Sequence, residues 1–287
     1  MRGTADDRSG HIDVSAADAV SANAQSLRMA LRVLGWIGLG LIALAVSLSD
    51  FLASAPAGAT GIGPLLAPPS MQFQFGTDVL GRDMLSETLH GLNMSVRSAL
   101  PAALMALVFG ALSGFAAAHL PKPFSITLRW IIAIPAALPA LLLAILVIGL
   151  TARGWASVAA GLSAAPLAFV RAFDRANLHA RSIHSGCARA TGISPTTLLR
   201  RDLVYEFSDA FAAGAARALA AVVIILSTVS FLGFSAEPPH RDLGLMIAAS
   251  KPYYLRAWWT AACPALALMV LVLFARLAAG LDEGERP

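Results

Sequence analysis

Residues 31–53 read LRVLGWIGLGLIALAVSLSDFLA, and their only charged residues, Arg32 and Asp50, lie near the two ends. An α-helix needs about 20 consecutive apolar residues to cross the hydrocarbon core of a bilayer. Polar backbone groups in lipid must be satisfied internally, which a helix achieves within a single segment. This stretch therefore predicts a membrane-spanning helix.

The composition of the whole chain extends this prediction. Of its 287 residues, 57% are hydrophobic and only 13% are charged, whereas soluble domains carry about 25% charged residues. The net charge is +4, and the cations gather in particular loops, with no Lys/Arg stripe interleaved with aromatic residues. The pattern indicates an integral membrane protein and argues against a nucleic-acid-binding protein.

We predict an all-α integral membrane protein with six transmembrane helices. The predicted spans are 31–53, 97–118, 127–150, 155–173, 208–235 and 258–280. The second is rich in small residues, which allow helices to approach closely in lipid. Pro135 and Pro139 predict a kink in the third, because each removes a backbone donor. Residues 1–28 and 284–287 are predicted tails, and 29–283 form a single membrane domain.

Six spans place both chain termini on the same side of the membrane. Fourteen Lys and Arg residues then fall on that side and six on the other, with Arg217 left out because it lies within a span. Cytoplasmic loops carry an excess of Lys and Arg. We therefore expect both termini to be cytoplasmic. Arg217 lies near the cytoplasmic end of its span, where it either reaches the interface or lines a path through the membrane.

A polar, basic segment interrupts the apolar chain at 184–202, HSGCARATGISPTTLLRRD. Gly192 predicts the end of one helix, and Ser194 followed by Pro195 predicts the start of another. This segment, here called the island, is thus predicted to form a helix, a glycine turn and a helix in the cytoplasm. From periodicity alone it is either a solvated connector or a surface on which another protein docks.

Two further stretches have unusual residue patterns. The first is FGTDVLGRDMLSETLHGLNMSV, residues 75–96. It resembles the pattern G-T-D-x-L-G-R-D-x-x-S-R-x-x-x-G-x-R-x-S-L, with Glu87 and Asn93 in place of the two later arginines. The second is FLGFSAEPPHRDLGLMIAAS, residues 231–250. It resembles F-L-G-L-G-x-x-P-P-x-P-x-W-G-x-M-L, with Leu243 in place of the tryptophan.

Both patterns are typical of the permease subunits of ATP-binding-cassette importers, in the dipeptide, oligopeptide and nickel branch. The resemblance covers roughly residues 30–283 and implies a type I importer permease, with a cytoplasmic coupling helix within about 174–207. That family's coupling motif reads Glu-Ala-Ala, three residues, then Gly. Gly186, Cys187 and Ala188 occupy the first three positions, and Gly192 matches the glycine. The residues that the resemblance assigns to ATPase coupling are Gly186, Cys187, Ala188, Arg189 and Gly192.

The resemblance also implies a function. The chain would form half of the translocation path for peptides or a similar small solute across the inner membrane. Its partners would be a second homologous permease, two ATP-binding subunits that hydrolyse ATP, a periplasmic solute-binding protein and the lipid bilayer. The alternative is a non-transporting scaffold that still binds an ATPase. The sequence contains no G-x-x-x-x-G-K-[ST] loop, so we expect a transport subunit rather than an enzyme, without a cofactor or metal.

The remaining candidates lie in the stretch at 75–96, on the side opposite the termini. This periplasmic motif consists of Gly76, Thr77, Asp78, Gly81, Arg82 and Asp83. Its charges either hold the outer face against a partner protein or serve the local structure. Thr77 or Asp78 is predicted to cap the following helix. Gly76 and Gly81 are predicted to form tight backbone turns.

Overall fold

The computed structural model describes residues 14–151, 153–180, 197, 211–234 and 241–280. Within these ranges all regular secondary structure is helical, as predicted, and includes two short 3₁₀ turns at Arg153–Trp155 and Lys251–Tyr253. The helices are α1 Val14–Ser47, α2 Ser49–Leu52, α3 Met84–His119, α4 Lys122–Ala136, α5 Ala140–Leu150, α6 Ala156–Ala180, α7 Phe211–Phe231, α8 Leu243–Ser250 and α9 Trp259–Ala279.

Five of the described helices are long and apolar enough to cross a membrane. They are Asn23–Ser47 within α1, α3, Ala156–Leu178 within α6, α7 and α9. These correspond to the predicted first, second, fourth, fifth and sixth spans. Several predicted bounds were wrong: the first span is Asn23–Ser47 rather than 31–53, α3 begins at Met84 rather than near 97, and α6 continues to Ala180 rather than ending near 173. The chain is a multi-pass membrane protein.

The predicted third span is not one continuous helix. It consists of α4 and α5, which are bent by 90° at the break between them. Pro135 lies in the last turn of α4, and Pro139 immediately precedes α5. Pro139 donates no backbone hydrogen bond and disfavours helical backbone at Leu138. The two prolines therefore cause a complete break in the helix where a kink was predicted. Helices α4 and α5 together make a sixth span if they cross the membrane as a unit.

Helices α3 and α6 form the central contact of the fold. Gly110 and Gly114 of α3 lie one turn apart and face the backbone of α6. A Cβ atom on Gly110 would lie 2.5 Å from the Ala165 carbonyl oxygen and 2.6 Å from the Ala168 Cβ. Gly161 of α6 faces the Ala102 carbonyl oxygen of α3 in the same way. The prediction that small residues in the second span permit a close helix approach is confirmed.

The other spans surround this pair. Helix α7 packs against α3, α6 and α9, and α1 lies along α9. Gly35 of α1 faces the backbone of Leu277 and Ala278, and Gly38 faces the ring of Phe274. Helix α8 is too short to span the membrane and packs on α3, α7 and α9 at one end of the bundle. That end holds the candidate site.

The contact between α3 and α6 can be tested with Gly110→Val. The added side chain has no space against the α6 backbone, and overpacking of this kind costs about 1–3 kcal/mol. We expect a lower thermal unfolding midpoint in detergent micelles. Gly40→Val is the matched control, since a Cβ on Gly40 in α1 meets nothing within 4 Å. Because valine has a higher helix propensity than glycine, Gly40→Val should not be destabilising, and equal destabilisation by both variants would show that the close contact is not responsible.

Candidate functional site

The segment between α2 and α3 turns sharply at two glycines. Gly76 has φ +72° and Gly81 has φ +68°, in the left-handed region that favours glycine. A Cβ on Gly76 would also lie 2.6 Å from the Ala67 carbonyl oxygen and 2.7 Å from Trp259 Nε1. The prediction that both residues form tight turns is confirmed.

Thr77 and Asp78 organise the loop rather than the helix that follows it. Thr77 Oγ1 donates to the Pro64 carbonyl and accepts from Ala67 N–H at 2.8 Å. Asp78 Oδ1 accepts from the backbone N–H groups of Leu80 at 2.7 Å and Arg82 at 2.9 Å. The prediction that one of these two residues caps the helix was wrong, because their side chains already satisfy N–H groups of the preceding turn.

Asp83 is the residue that caps α3. Its carboxylate accepts from the backbone N–H groups of Leu85 and Ser86, both at 3.3 Å. It also accepts from the hydroxyl of Ser86 at 2.7 Å and from the hydroxyl of Ser54 at 2.6 Å. Burial of Asp83 would raise its pKa, but these donors stabilise the charged form and hold the pKa below its usual value. Asp83 thus links the start of α3 to the segment that follows α2.

Four charged side chains meet beside this cap, and we call Asp78, Arg82, Glu87 and Arg241 the charged cluster. Arg82 Nη1 lies 3.5 Å from Glu87 Oε2, and Arg82 Nε lies 3.9 Å from Asp78 Oδ2. Arg241 Nη1 lies 3.7 Å from Asp78 Oδ2 and 3.6 Å from Glu87 Oε2. Asp78 and Glu87 are buried. Two carboxylates and two guanidinium groups balance in charge, which makes their burial tolerable.

The charged cluster joins two stretches that are far apart in the chain. Arg241 belongs to the stretch at 231–250, and the other three residues belong to the stretch at 75–96. Two hydrogen bonds reinforce the junction. The Leu243 N–H donates to Ser95 Oγ at 3.1 Å, and Trp259 Nε1 donates to the Thr77 carbonyl at 3.1 Å. The described residues of the two stretches therefore form one site at one end of the bundle.

Helix α8 is fixed at the same site. Asp242 caps it by accepting from the Leu245 N–H at 2.8 Å, and Ser230 of α7 also hydrogen-bonds to the Asp242 carboxylate. Gly91 of α3 lies against α8, where a Cβ would come within 2.7 Å of Met246 Sδ. Between α8 and the charged cluster is a small cleft of about 30 Å³. It is lined in part by Asp78, Glu87, Arg241, Ser250, Tyr253 and Thr260.

Arg217 has a contact that explains its place within a span. Its Nη1 donates to the Ala279 carbonyl at 3.2 Å, at the C-terminal end of α9. A cation at a helix C-terminus satisfies a free carbonyl and complements the helix dipole. Arg217 also lines a small cleft of about 40 Å³ between α3, α6 and α7. The contact with Ala279 agrees with the predicted role at the interface, and the cleft agrees with the predicted role beside a path.

Other predicted residues lie outside the described part of the chain. These are the coupling residues Gly186, Cys187, Ala188, Arg189 and Gly192. Sequence reasoning also missed residues of the described site, namely Ser54, Ser86, Glu87, Arg241 and Trp259. The sequence did contain a sign of the role of Glu87, because glutamate occupies a position where the resembled pattern has arginine. The role of Ser54 had no such signal, since its contact with Asp83 depends on the fold of the loop.

The amino-acid sequence of the chain is similar to those of several proteins named as peptide transport permeases. A putative peptide transport system permease protein of Brucella suis is 27% identical over 248 residues, 86% of this chain and 83% of that protein. The di/tripeptide transport system permease protein DppC of Pseudomonas aeruginosa is 28% identical over 219 residues, 73% of this chain and 72% of that protein. The chain resembles the permease subunits of peptide importers. No family model matches it.

The resemblance to these permeases holds over nearly the whole chain. The dipeptide transport system permease protein DppC of Haemophilus influenzae is 24% identical over 266 residues, 89% of this chain and 90% of that protein. The permease resemblance predicted from the two sequence patterns is confirmed.

The Asp83 cap should make the stability of the folded chain depend on pH. Because the folded-state pKa of Asp83 is lowered, its stabilising contribution is present above the unfolded pKa, about 3.9. That contribution is lost as pH falls through the folded-state value. Asp83→Asn keeps a capping oxygen but removes the charge, so we expect it to lower stability at pH 7 by about 1 kcal/mol, the difference between hydrogen bonds to a charged and to a neutral acceptor. The difference in unfolding midpoint between wild type and Asp83→Asn should become smaller below about pH 4, as the Asp83 carboxylate becomes protonated.

The measurement is thermal unfolding in detergent over a pH series. Asp50→Asn is the control, since the Asp50 side chain is 89% exposed and its removal should leave the midpoint nearly unchanged. A gap between wild type and Asp83→Asn that stays constant down to pH 3 would contradict the proposed role of the Asp83 charge.

The charged cluster can be tested by a double-mutant cycle on Glu87 and Arg241. Glu87→Gln and Arg241→Gln each leave the partly buried charged cluster with one uncompensated charge, which is destabilising. The double variant restores neutrality, so its loss of stability should be smaller than the sum of the single losses by about 1–3 kcal/mol. Thermal or denaturant unfolding of the four proteins measures the coupling.

The control pairs Glu87→Gln with Arg256→Gln, which removes an exposed cation from the segment after α8. The losses of stability caused by these two substitutions should be additive. Additive losses for Glu87 and Arg241 as well would mean that their contact contributes no specific coupling.

Proposed function

We propose that this chain is the permease subunit of an ATP-binding-cassette importer. It forms half of the translocation path for peptides or a similar small solute across the inner membrane. The observation that carries the proposal is the union of the two motifs in one site at the end of a multi-span helical bundle. The relatives named as peptide transport permeases support the same conclusion. As a transport subunit the chain is not itself an enzyme.

The proposal includes the partners that such a permease requires. Two ATP-binding subunits supply the energy from the cytoplasm, a second homologous permease completes the path, and a solute-binding protein delivers the solute from the periplasm. The excess of cations on the side of the termini supports a cytoplasmic location for both termini and for the island. The site of the charged cluster then belongs to the periplasmic side.

The helix packing suggests how the two sides communicate. Helix α6 runs without interruption from Ala156 to Ala180, directly before the island. It lies against α3 along the glycine contact, and α3 begins at the charged cluster. Since closely packed helices move as rigid elements rather than deform continuously, a displacement of the island would pass through α6 and α3 to the opposite end. In this proposal, ATPase closure rearranges the periplasmic site by that route.

The first experiment is a mild-detergent pull-down of the tagged chain from its native membrane. Wild type is compared with a variant in which residues 186–192 are scrambled. We expect an ATPase and a second permease to co-purify with wild type, and the ATPase alone to be lost from the variant. A chain with residues 2–8 scrambled is the control of equal length and should retain both partners.

Two results would contradict the proposal. A folded wild-type chain that brings down no ATPase would exclude an importer permease. A complex that contains the ATPase, yet shows no solute-dependent stimulation of ATP hydrolysis in proteoliposomes with the binding protein, would instead identify a non-transporting scaffold.

A further inference from the structure

A short, rigid turn connects α8 to the last span, and we call residues 251–258 the interfacial turn. Its 3₁₀ turn at Lys251–Tyr253 continues into hydrogen bonds from the N–H groups of Arg256 and Ala257 to the Tyr253 carbonyl, at 2.9 and 2.8 Å. Ser250 Oγ donates to the Thr260 carbonyl at 2.8 Å and so ties the two ends together. Ala257 is fully buried beneath the turn. The interfacial turn therefore holds its outward-facing side chains in a fixed arrangement.

Those outward-facing side chains combine large apolar and aromatic groups with cations. Leu255 is 85% exposed, Trp258 63% and Tyr254 58%. Lys251 and Arg256 are exposed as well, and the interfacial turn contains no acidic residue. Lys251 Nζ lies 3.8 Å from the ring centroid of Phe231, at the end of α7. Such a surface can place its apolar side chains in a hydrophobic environment while its cations contact anionic groups beside it.

The interfacial turn lies at the ends of two membrane spans, where the bilayer meets water. The span formed by α9 begins at Trp259, immediately after the interfacial turn. Phe231, beside Lys251, is the last residue of another span, α7. Two spans thus end at the level of the turn. Tyr and Trp are enriched at membrane–water interfaces, where the ring is apolar and its polar group reaches the headgroups. Lys and Arg extend from the same depth toward phosphates.

We propose that the interfacial turn is a binding surface for anionic phospholipid headgroups. Tyr254, Leu255 and Trp258 enter the interfacial region of the bilayer, and Lys251 and Arg256 contact lipid phosphates. The absence of acids from the turn gives it charge complementarity to an anionic lipid rather than to a cationic or neutral surface. This inference does not depend on the identity of the transported solute or on the ATPase.

The depth of the turn is tested with a nitroxide label. Leu255→Cys is labelled in a full-length chain that carries Cys187→Ala and Cys263→Ala, reconstituted in vesicles of phosphatidylcholine with one-fifth phosphatidylglycerol. We expect the label to be accessible to dissolved oxygen and protected from a water-soluble nickel chelate. Met71→Cys is the control because Met71 is fully exposed in the loop between α2 and α3, and the reverse accessibility is expected there.

The preference for anionic lipid is tested by native mass spectrometry of the chain released from mixed vesicles. Lys251→Gln/Arg256→Gln should lower the ratio of retained phosphatidylglycerol to phosphatidylcholine, by about fivefold for each cation. Lys251→Arg/Arg256→Lys keeps both charges and should retain the wild-type ratio. Because the effect is electrostatic, it should weaken as the salt concentration rises.

Three results would overturn the proposal. The first is a label at 255 that the nickel chelate reaches as readily as the label at 71. The second is a label protected from both reagents, which would show that a protein partner covers the turn. The third is a lipid ratio unchanged by removal of both cations, which would show that the turn has no headgroup selectivity.

Discussion

The close approach of α3 and α6 is the contact on which the rest of the fold depends. Within a bilayer, lipid tails solvate apolar side chains as well as protein does, so helices associate through close packing rather than through the hydrophobic effect. Gly110, Gly114 and Gly161 remove the side chains that would separate the two backbones. The remaining spans pack around the pair that results. Helix α3 is also the longest described span, so its two ends set the positions of structures on both sides of the membrane.

At one end of α3 the constraint is electrostatic rather than steric. The Asp83 cap and the charged cluster place several ionisable groups close to a hydrophobic bundle. Their burial is tolerable because each carboxylate has donors: Ser54 and Ser86 for Asp83, Arg82 and Arg241 for Glu87. Glu87 also accepts from the Gly58 N–H at 2.8 Å. These interactions connect the loop after α2, the start of α3 and the segment before α8 into a single unit.

The sequence predicted those parts of the fold that depend on local chemistry. Apolar runs predicted the spans, and the need for positive φ explains why Gly76 and Gly81 were predicted correctly as turns. The break between α4 and α5 was underestimated, because two prolines four residues apart remove the helical hydrogen-bond donors of two successive turns. The start of α3 was placed too late, since its first turns are amphipathic and do not look like a membrane span. The contact between Glu87 and Arg241 joins residues distant in the chain, and no local pattern predicts it.

The structure gives a physical meaning to two departures from the resembled motifs. Glu87 stands where the first pattern has arginine, and Arg241 stands where the second has the proline before x-W-G. Glu87 Oε2 and Arg241 Nη1 lie 3.6 Å apart. An arginine at position 87 would face Arg82 and Arg241 together, and three cations beside Asp78 would be strongly unfavourable in a buried site. With glutamate at 87 the same four positions are neutral. The two departures therefore compensate each other in charge.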